Sequence, residues 1–181
     1  MTDAAIHAAP VEAYGRLTEP ATLTIQRMLP GPIERVWSYL TESDLRRLWL
    51  ASGAMKLEKG AAFTFTWRND QLGTSAGSRP EGMAAEHSME ATITEVAPPH
   101  RLAFTWGSTG GVEITLEPKG AKTLLTLVHR RLPERGMMLA VSAGWHAHLD
   151  VLLAIISGAP AEPFWDQWTR LRGEYDARLP K

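Results

Sequence analysis

With 181 residues, 44% of them hydrophobic and 22% charged, the chain is long enough for one domain with a real core and short for two. Nineteen Lys and Arg against 20 Asp and Glu leave a net charge of -1, which removes the basic footprint of a dedicated nucleic-acid binder. Zero cysteines exclude disulfides, thiolate metal sites and a cysteine nucleophile, and fit a reducing compartment.

Residues 1–20 are rich in Ala and carry no sustained period, so they read as a flexible tail; they lack the basic start and apolar run of a signal peptide. Residues 21–29 alternate, with Leu23, Ile25 and Arg27 against Thr22, Thr24 and Gln26. This is a first strand, ended by Pro30-Gly31-Pro32. Pro32 suits the start of a helix in which Ile33, Val36, Trp37 and Leu40 recur; a cap at 41–44 then opens a second short helix with Leu45, Leu48 and Trp49. Residues 53–59 read as a short strand, and Phe63, Phe65 and Trp67 alternate with Thr64, Thr66 and Arg68 as a half-buried one. Gly73, Gly77, Pro80 and Gly82 make 69–83 a long loop of the kind that borders binding sites. Strands follow at 87–96, 102–106, 112–116 and 124–129, punctuated by Pro98-Pro99, by 107–111 and by Lys119-Gly120, as in an antiparallel meander. Residues 137–157 form a long apolar helix stopped by Gly158 and Pro160; Ser142, His146, His148 and Asp150 interrupt it and argue against a membrane span. Phe164, Trp168, Leu171 and Tyr175 fall at i, i+4, i+7 and i+11 on an amphipathic closing helix. One strand, two short helices, about six strands and then helices make an α+β fold with helices on one face of the sheet.

Four pieces of this chain, in order, match a known pattern over residues 22–158. They are Pro32-Ile33-Glu34-Arg35-Val36-Trp37, the run Glu95-Val96-Ala97-Pro98-Pro99-His100-Arg101-Leu102-Ala103-Phe104-Thr105-Trp106, the strand end Leu127-Val128-His129, and Gly144-Trp145 followed by Leu149 and Leu152. With them the chain resembles the START/Bet v 1-like (SRPBCC) superfamily, in the branch of the C-terminal domain of the activator of the heat-shock-protein-90 ATPase. The resemblance implies a helix-grip fold, a curved antiparallel β-sheet wrapped around a long C-terminal helix with a cavity between them. It also implies relatives that bind hydrophobic ligands, some of them cyclases or hydrolases. The chain is expected to depart from the branch in having no additional N-terminal domain of the kind the eukaryotic co-chaperone uses, and in continuing past the grip helix. It therefore divides into a tail at 1–20, the helix-grip domain at 21–158, and an additional C-terminal helix at 159–181 packed on the domain or on a partner.

Phe63, Phe65, Trp67, Trp106, Trp145, Leu149 and Leu152 are expected to line one apolar cavity, with the filling of a close-packed core as the plainer alternative. His129 shares a strand face with Leu125 and Leu127 and should point at the helix; either it or His148 would give a ligand one orienting hydrogen bond. His146 and His148 face opposite ways on the helix, and His146 with Asp150 at i and i+4 supplies only two ligands, so neither a metal nor a cofactor is expected. No nucleophile elbow, P-loop, dinucleotide fingerprint or His-Glu-x-x-His motif occurs, and no catalytic residue is assigned; His129 and Glu90 are the only attractive acid or base. Phe164, Trp165, Trp168 and Tyr175 offer an aromatic patch for a homodimer or for docking on the domain itself. The sequence thus reads as a small cytoplasmic binding protein, more a binder than an enzyme, that holds a hydrophobic or aromatic molecule between sheet and C-terminal helix. Two alternatives stay open: a regulatory module with a chaperone partner, and a cofactor-free cyclase or hydrolase.

Overall fold

Alternation sets the sheet in the computed structural model, which describes residues 10–181. On β2 (Thr22–Pro30), Leu23, Ile25, Arg27 and Leu29 turn to one face and are buried. Leu125, Leu127 and His129 of β7 (Lys122–Arg130) do the same beside them. The remaining strands are β1 (Arg16–Glu19), β3 (Ala62–Trp67), β4 (His87–Ala97), β5 (Arg101–Trp106) and β6 (Gly110–Lys119). All seven form one antiparallel sheet in the order β1-β2-β7-β6-β5-β4-β3. A register shift between Ile93 and Glu95 interrupts the β4–β5 ladder, the kind of irregularity that curves a sheet.

Helices α1 (Ile33–Thr41) and α2 (Ser43–Arg46) fill the connection from β2 to β3. The long helix α3 (Arg135–Ser157) ends where the sequence indicates, at Gly158, which closes it in the left-handed region with φ of 68°. Helix α4 (Phe164–Arg178) packs against α3 with Phe164, Trp165, Leu171 and Tyr175 buried, so its aromatic stripe is covered within the chain. By length and composition alone α3 is apolar enough to cross a membrane. Here the sheet covers one side of it, through Trp145 against His129, and α4 covers another, through Trp168 against Ala140.

Two segments depart from the sequence expectation. Residues 16–19, assigned to the tail, form edge strand β1, in which Leu17 pairs with Leu23 around a turn that holds Ala21 at φ 58°. Residues 1–9 of that tail lie outside the described residues. Residues 53–59 are not a strand, so five strands rather than about six follow the short helices. The reason is local: the Gly53 carbonyl accepts from the Arg46 guanidinium and its N–H donates to Ser43 Oγ, so side chains take the groups a neighbouring strand would use.

A polar seam ties these layers together. Arg27 on β2 donates through Nε to Asp150 Oδ1 on α3 at 3.0 Å, and its Nη2 stands 2.8 Å from the same oxygen. Asp150 Oδ2 accepts from Gln167 of α4 at 2.7 Å and lies 3.3 Å from His146 Nε2. His146 Nδ1 in turn is 3.0 Å from the Tyr175 hydroxyl, which accepts from the Gly15 N–H at 2.7 Å. Burial pushes the Asp150 carboxyl up, but the hydrogen bond from His146 and the charge of Arg27 outweigh it and hold the group below its ordinary value. His146 and Asp150 therefore meet as part of a structural network.

Candidate functional site

The inner face of the sheet is not filled along its whole length. Period 2 on β3 puts Phe63, Phe65 and Trp67 on that face, and Trp106 of β5 joins them. On α3 the residues Met137, Ala140, Val141, Gly144, Trp145 and His148 fall at i, i+3, i+4, i+7, i+8 and i+11, one stripe of a helix. Ala140 and Gly144 are small, and they leave room where larger residues would reach the sheet. The outcome is a cavity of about 530 Å³, within the range of small-molecule sites. Five tryptophans line it: Trp67, Trp106, Trp145, Trp165 and Trp168. Trp67 and Trp106 meet edge to face at 5.6 Å between centroids, and Trp106 and Trp145 lie tilted at 5.4 Å.

The outer wall is the loop between β3 and β4, whose Met83, Ala84 and Ala85 border the cavity. Its base is closed by Arg68 and Glu86, 2.8 Å apart. Its middle is fastened to α4: Trp165 donates its indole N–H to Asp70 at 2.7 Å and its backbone N–H to Ala76 at 2.9 Å, and Ser78 N–H donates to Asp166 at 2.8 Å. Met83 and Met137, 41% and 44% exposed, border the cavity from the loop and from α3 and mark its mouth.

Polar groups in the wall are few. The Nδ1–H of His148 donates to the Trp49 carbonyl at 2.7 Å, which fixes the tautomer and leaves Nε2 as an acceptor without a partner among the described residues. Burial pushes the ring down to about 4, so it is neutral near pH 7. The Trp49 carbonyl is itself held by the adjoining turn. There Arg46, 1% exposed, donates to the Leu40, Thr41, Ala51 and Gly53 carbonyls and lies 5.4 Å above the Phe65 ring. Burial lowers the guanidinium to about 10. Asn69 borders the cavity, and its Oδ1 is buried without a hydrogen bond. The indole N–H groups of Trp49, Trp145, Trp165 and Trp168 all donate to protein acceptors, whereas those of Trp67 and Trp106 meet none among the described residues. No Asp, Glu, Lys or Arg lines the cavity among the described residues.

Of the residues expected from sequence, Trp67, Trp106, Trp145 and His148 are brought together around the cavity. Phe63 and Phe65 pack edge to face with each other and with Phe104 farther along the strands, and Leu149 and Leu152 are fully buried; all four belong to the core beside the cavity. His129 does point at the helix, but it accepts the Trp145 N–H at 3.0 Å behind the cavity wall rather than bordering the space. Glu90 is exposed and borders a separate groove on the other face, while its neighbour Met89 lines the cavity. The loop 69–83, expected near the mouth of the cavity, contributes Asn69, Gly82 and Met83, while sequence reasoning missed Leu50, Met137, Trp165 and Trp168. For Met137 a signal was present in the helical spacing to Ala140, Val141 and Gly144.

Comparison with known proteins agrees with this architecture. The family of activator of Hsp90 ATPase homolog 1-like proteins matches residues 30–157. No curated protein matches the chain. A protein from Bordetella parapertussis, solved in solution by NMR, is 33% identical over 94% of this chain and 93% of its own, with a TM-score of 0.78. CalU16 from Micromonospora echinospora, in its crystal structure, is 24% identical over 91% of this chain and 93% of its own, with a TM-score of 0.62. A conserved protein of unknown function from Enterococcus faecalis is 20% identical over 91% and 88%, with a TM-score of 0.65. The last two likenesses are of fold.

Proposed function

The chain belongs to the activator of Hsp90 ATPase homolog 1-like family, whose fold suggests a small ligand-binding or regulatory domain, and from that premise we propose that it binds an apolar small molecule in the tryptophan-lined cavity. The observation that carries this reading is the combination of about 530 Å³ of space, five indole walls and a lining without Asp, Glu, Lys or Arg among the described residues. Such a site gains affinity by removing apolar surface from water, at about 25 cal/mol per Å² before the costs of association. Catalysis receives no comparable support: among the described residues the lining offers no carboxylate, no lysine and no nucleophile, its buried histidine is a weak base, and its other imidazole, His87, lies stacked on Trp67.

The uncharged fluorescent probe N-phenyl-1-naphthylamine tests the reading. It should brighten on addition of the protein and saturate at one molecule per chain. A Cβ at Gly144 would make only an ordinary van der Waals contact, with Trp168 Nε1 at 3.9 Å, so Gly144→Phe should fold while filling the cavity and abolishing the signal. Undiminished probe binding by a folded Gly144→Phe variant would overturn the assignment.

A further inference from the structure

The wall of the cavity has a chemical bias that apolarity alone does not explain. Indoles apart, its one nine-tenths-buried polar side chain among the described residues, His148, is 6% exposed and already spends its only N–H on the Trp49 carbonyl. The free Nε2 can accept a hydrogen bond and cannot give one. Phe164 lies against the ring at 4.6 Å between centroids, and Arg46 holds the turn that carries the Trp49 carbonyl, so rotating the imidazole to exchange its two nitrogens would break the 2.7 Å bond. A buried acceptor left unpaired costs on the order of 1–3 kcal/mol. Among the described residues no Asp, Glu, Lys or Arg lines the cavity to compensate a buried carboxylate or ammonium, and the second lining imidazole, His87, is exposed and lies stacked on the Trp67 ring at 5.7 Å.

Resting on the cavity reading above, we infer that the ligand class is a neutral aromatic bearing a hydroxyl, seated with its rings among Trp67, Trp106 and Trp145 and its O–H donating to His148 Nε2. The hydroxyl oxygen keeps acceptor capacity, and the indole N–H groups of Trp67 and Trp106, which lack acceptors in the protein among the described residues, are donors in the same wall. Neutral phenols and naphthols fit this pattern; the corresponding hydrocarbons leave the acceptor unpaired. Aromatic carboxylates meet the bare lone pair of His148, with no Lys or Arg in the lining among the described residues. An aromatic ammonium gains indole faces, yet it leaves water without a counter-charge.

Calorimetric titration of the full chain at pH 7.5 with five naphthalene derivatives separates these possibilities. 1-Naphthol should bind at least about tenfold more tightly than naphthalene, the difference one hydrogen bond to a buried acceptor supplies. Its methyl ether, 1-methoxynaphthalene, should lose that advantage in the unmodified protein. 1-Naphthoate and 1-naphthylmethylammonium should bind more weakly than naphthol. His148→Phe should abolish the preference, so that naphthol binds no more tightly than naphthalene, while His148→Gln, which retains an acceptor, should recover part of it. Equal affinities for naphthol, its ether and naphthalene would overturn the hydroxyl seat and leave the apolar cavity standing. Tightest binding by the carboxylate or the ammonium would overturn the ligand class. Failure of every naphthalene derivative to bind would overturn the cavity reading itself.

Discussion

The indole N–H of Trp145 on α3 donates to Nδ1 of His129 on β7 at 3.0 Å, inside the core. This one bond links the long helix to the centre of the sheet and gives Trp145 the orientation in which its ring walls the cavity. His129 thereby supports the cavity wall without bordering the space. His129→Leu fills similar space but leaves the indole N–H unpaired, a loss of about 1–3 kcal/mol of stability. Urea titration should show a lower midpoint at unchanged slope, with naphthol affinity close to that of the unmodified chain. Lost binding at unchanged stability would instead place His129 inside the cavity.

Acid should destabilise this fold from the pH range in which free histidine titrates. Burial pushes both His129 and His148 down to about 4, and both are neutral in the native state. In the unfolded chain each imidazole titrates near ~6.5. Between those values the unfolded state binds more protons, so stability falls as pH falls, by up to about 1.4 kcal/mol per pH unit for each histidine. Asp150, held below its ordinary range, contributes stability that is lost only at lower pH still. The melting temperature should be level above pH 7 and drop from pH 6.5 to 4. In a His129→Leu/His148→Phe variant most of that slope should vanish, and an unmodified protein whose melting temperature stays level to pH 4.5 would refute the neutral, buried assignment.

The pair Arg27–Asp150 should matter far more when broken than when replaced. Arg27 is 4% exposed, and Asp150 is the only carboxylate it meets among the described residues. Asp150→Ala leaves a buried guanidinium whose remaining partners are the carbonyls of Ala13 and Gln26. The expected loss is about 3–5 kcal/mol, read from chemical denaturation. A double variant, Arg27→Met with Asp150→Leu, removes both charges and should regain much of that stability. Equal stability of the single and double variants would mean the seam is solvated and not buried.

The pattern of hits and misses in the sequence has a physical origin. Alternation names a face, which is why Leu23, Ile25 and Arg27, and likewise Phe63, Phe65 and Trp67, were placed on one side correctly. It carries no information on how far along the strand the packing extends. Phe63 and Phe65 share the face of Trp67 yet sit in the core, because the cavity occupies only the Trp67 end of β3. The stop of α3 at Gly158 was legible because a left-handed residue is a local requirement. The four-residue strand β1 was not, since it is mostly exposed and its pairing partner decides its conformation. Trp165 and Trp168 were visible as part of an aromatic stripe, but which surface would cover that stripe depends on α3 and the loop, elements distant in sequence. Ala140 and Gly144 make the space by what they lack, a contribution that hydrophobic periodicity does not register.

The loop that forms the outer wall should be separable from the rest of the fold. Gly77 stands at φ +71°, and a Cβ on it would lie 2.6 Å from the Asp166 carboxyl carbon, the group that accepts the Ser78 N–H. Gly77→Ala must therefore move either the loop or that carboxylate. Gly82 in the same loop has φ +84° with nothing within 4 Å of its Cβ position, so Gly82→Ala carries the backbone strain without the collision. Either substitution should cost about 1 kcal/mol or somewhat more through φ alone. Only Gly77→Ala, and Asp166→Ala, which removes the acceptor without touching the loop backbone, should speed amide exchange at Ala76 to Ser78 and hasten the release of bound naphthol. If Gly82→Ala accelerates release as much as these two, general strain controls the wall. If Asp166→Ala leaves both rates unchanged, the contact at 2.8 Å does not fasten the loop, and the bonds of Trp165 to Asp70 and Ala76 hold it alone.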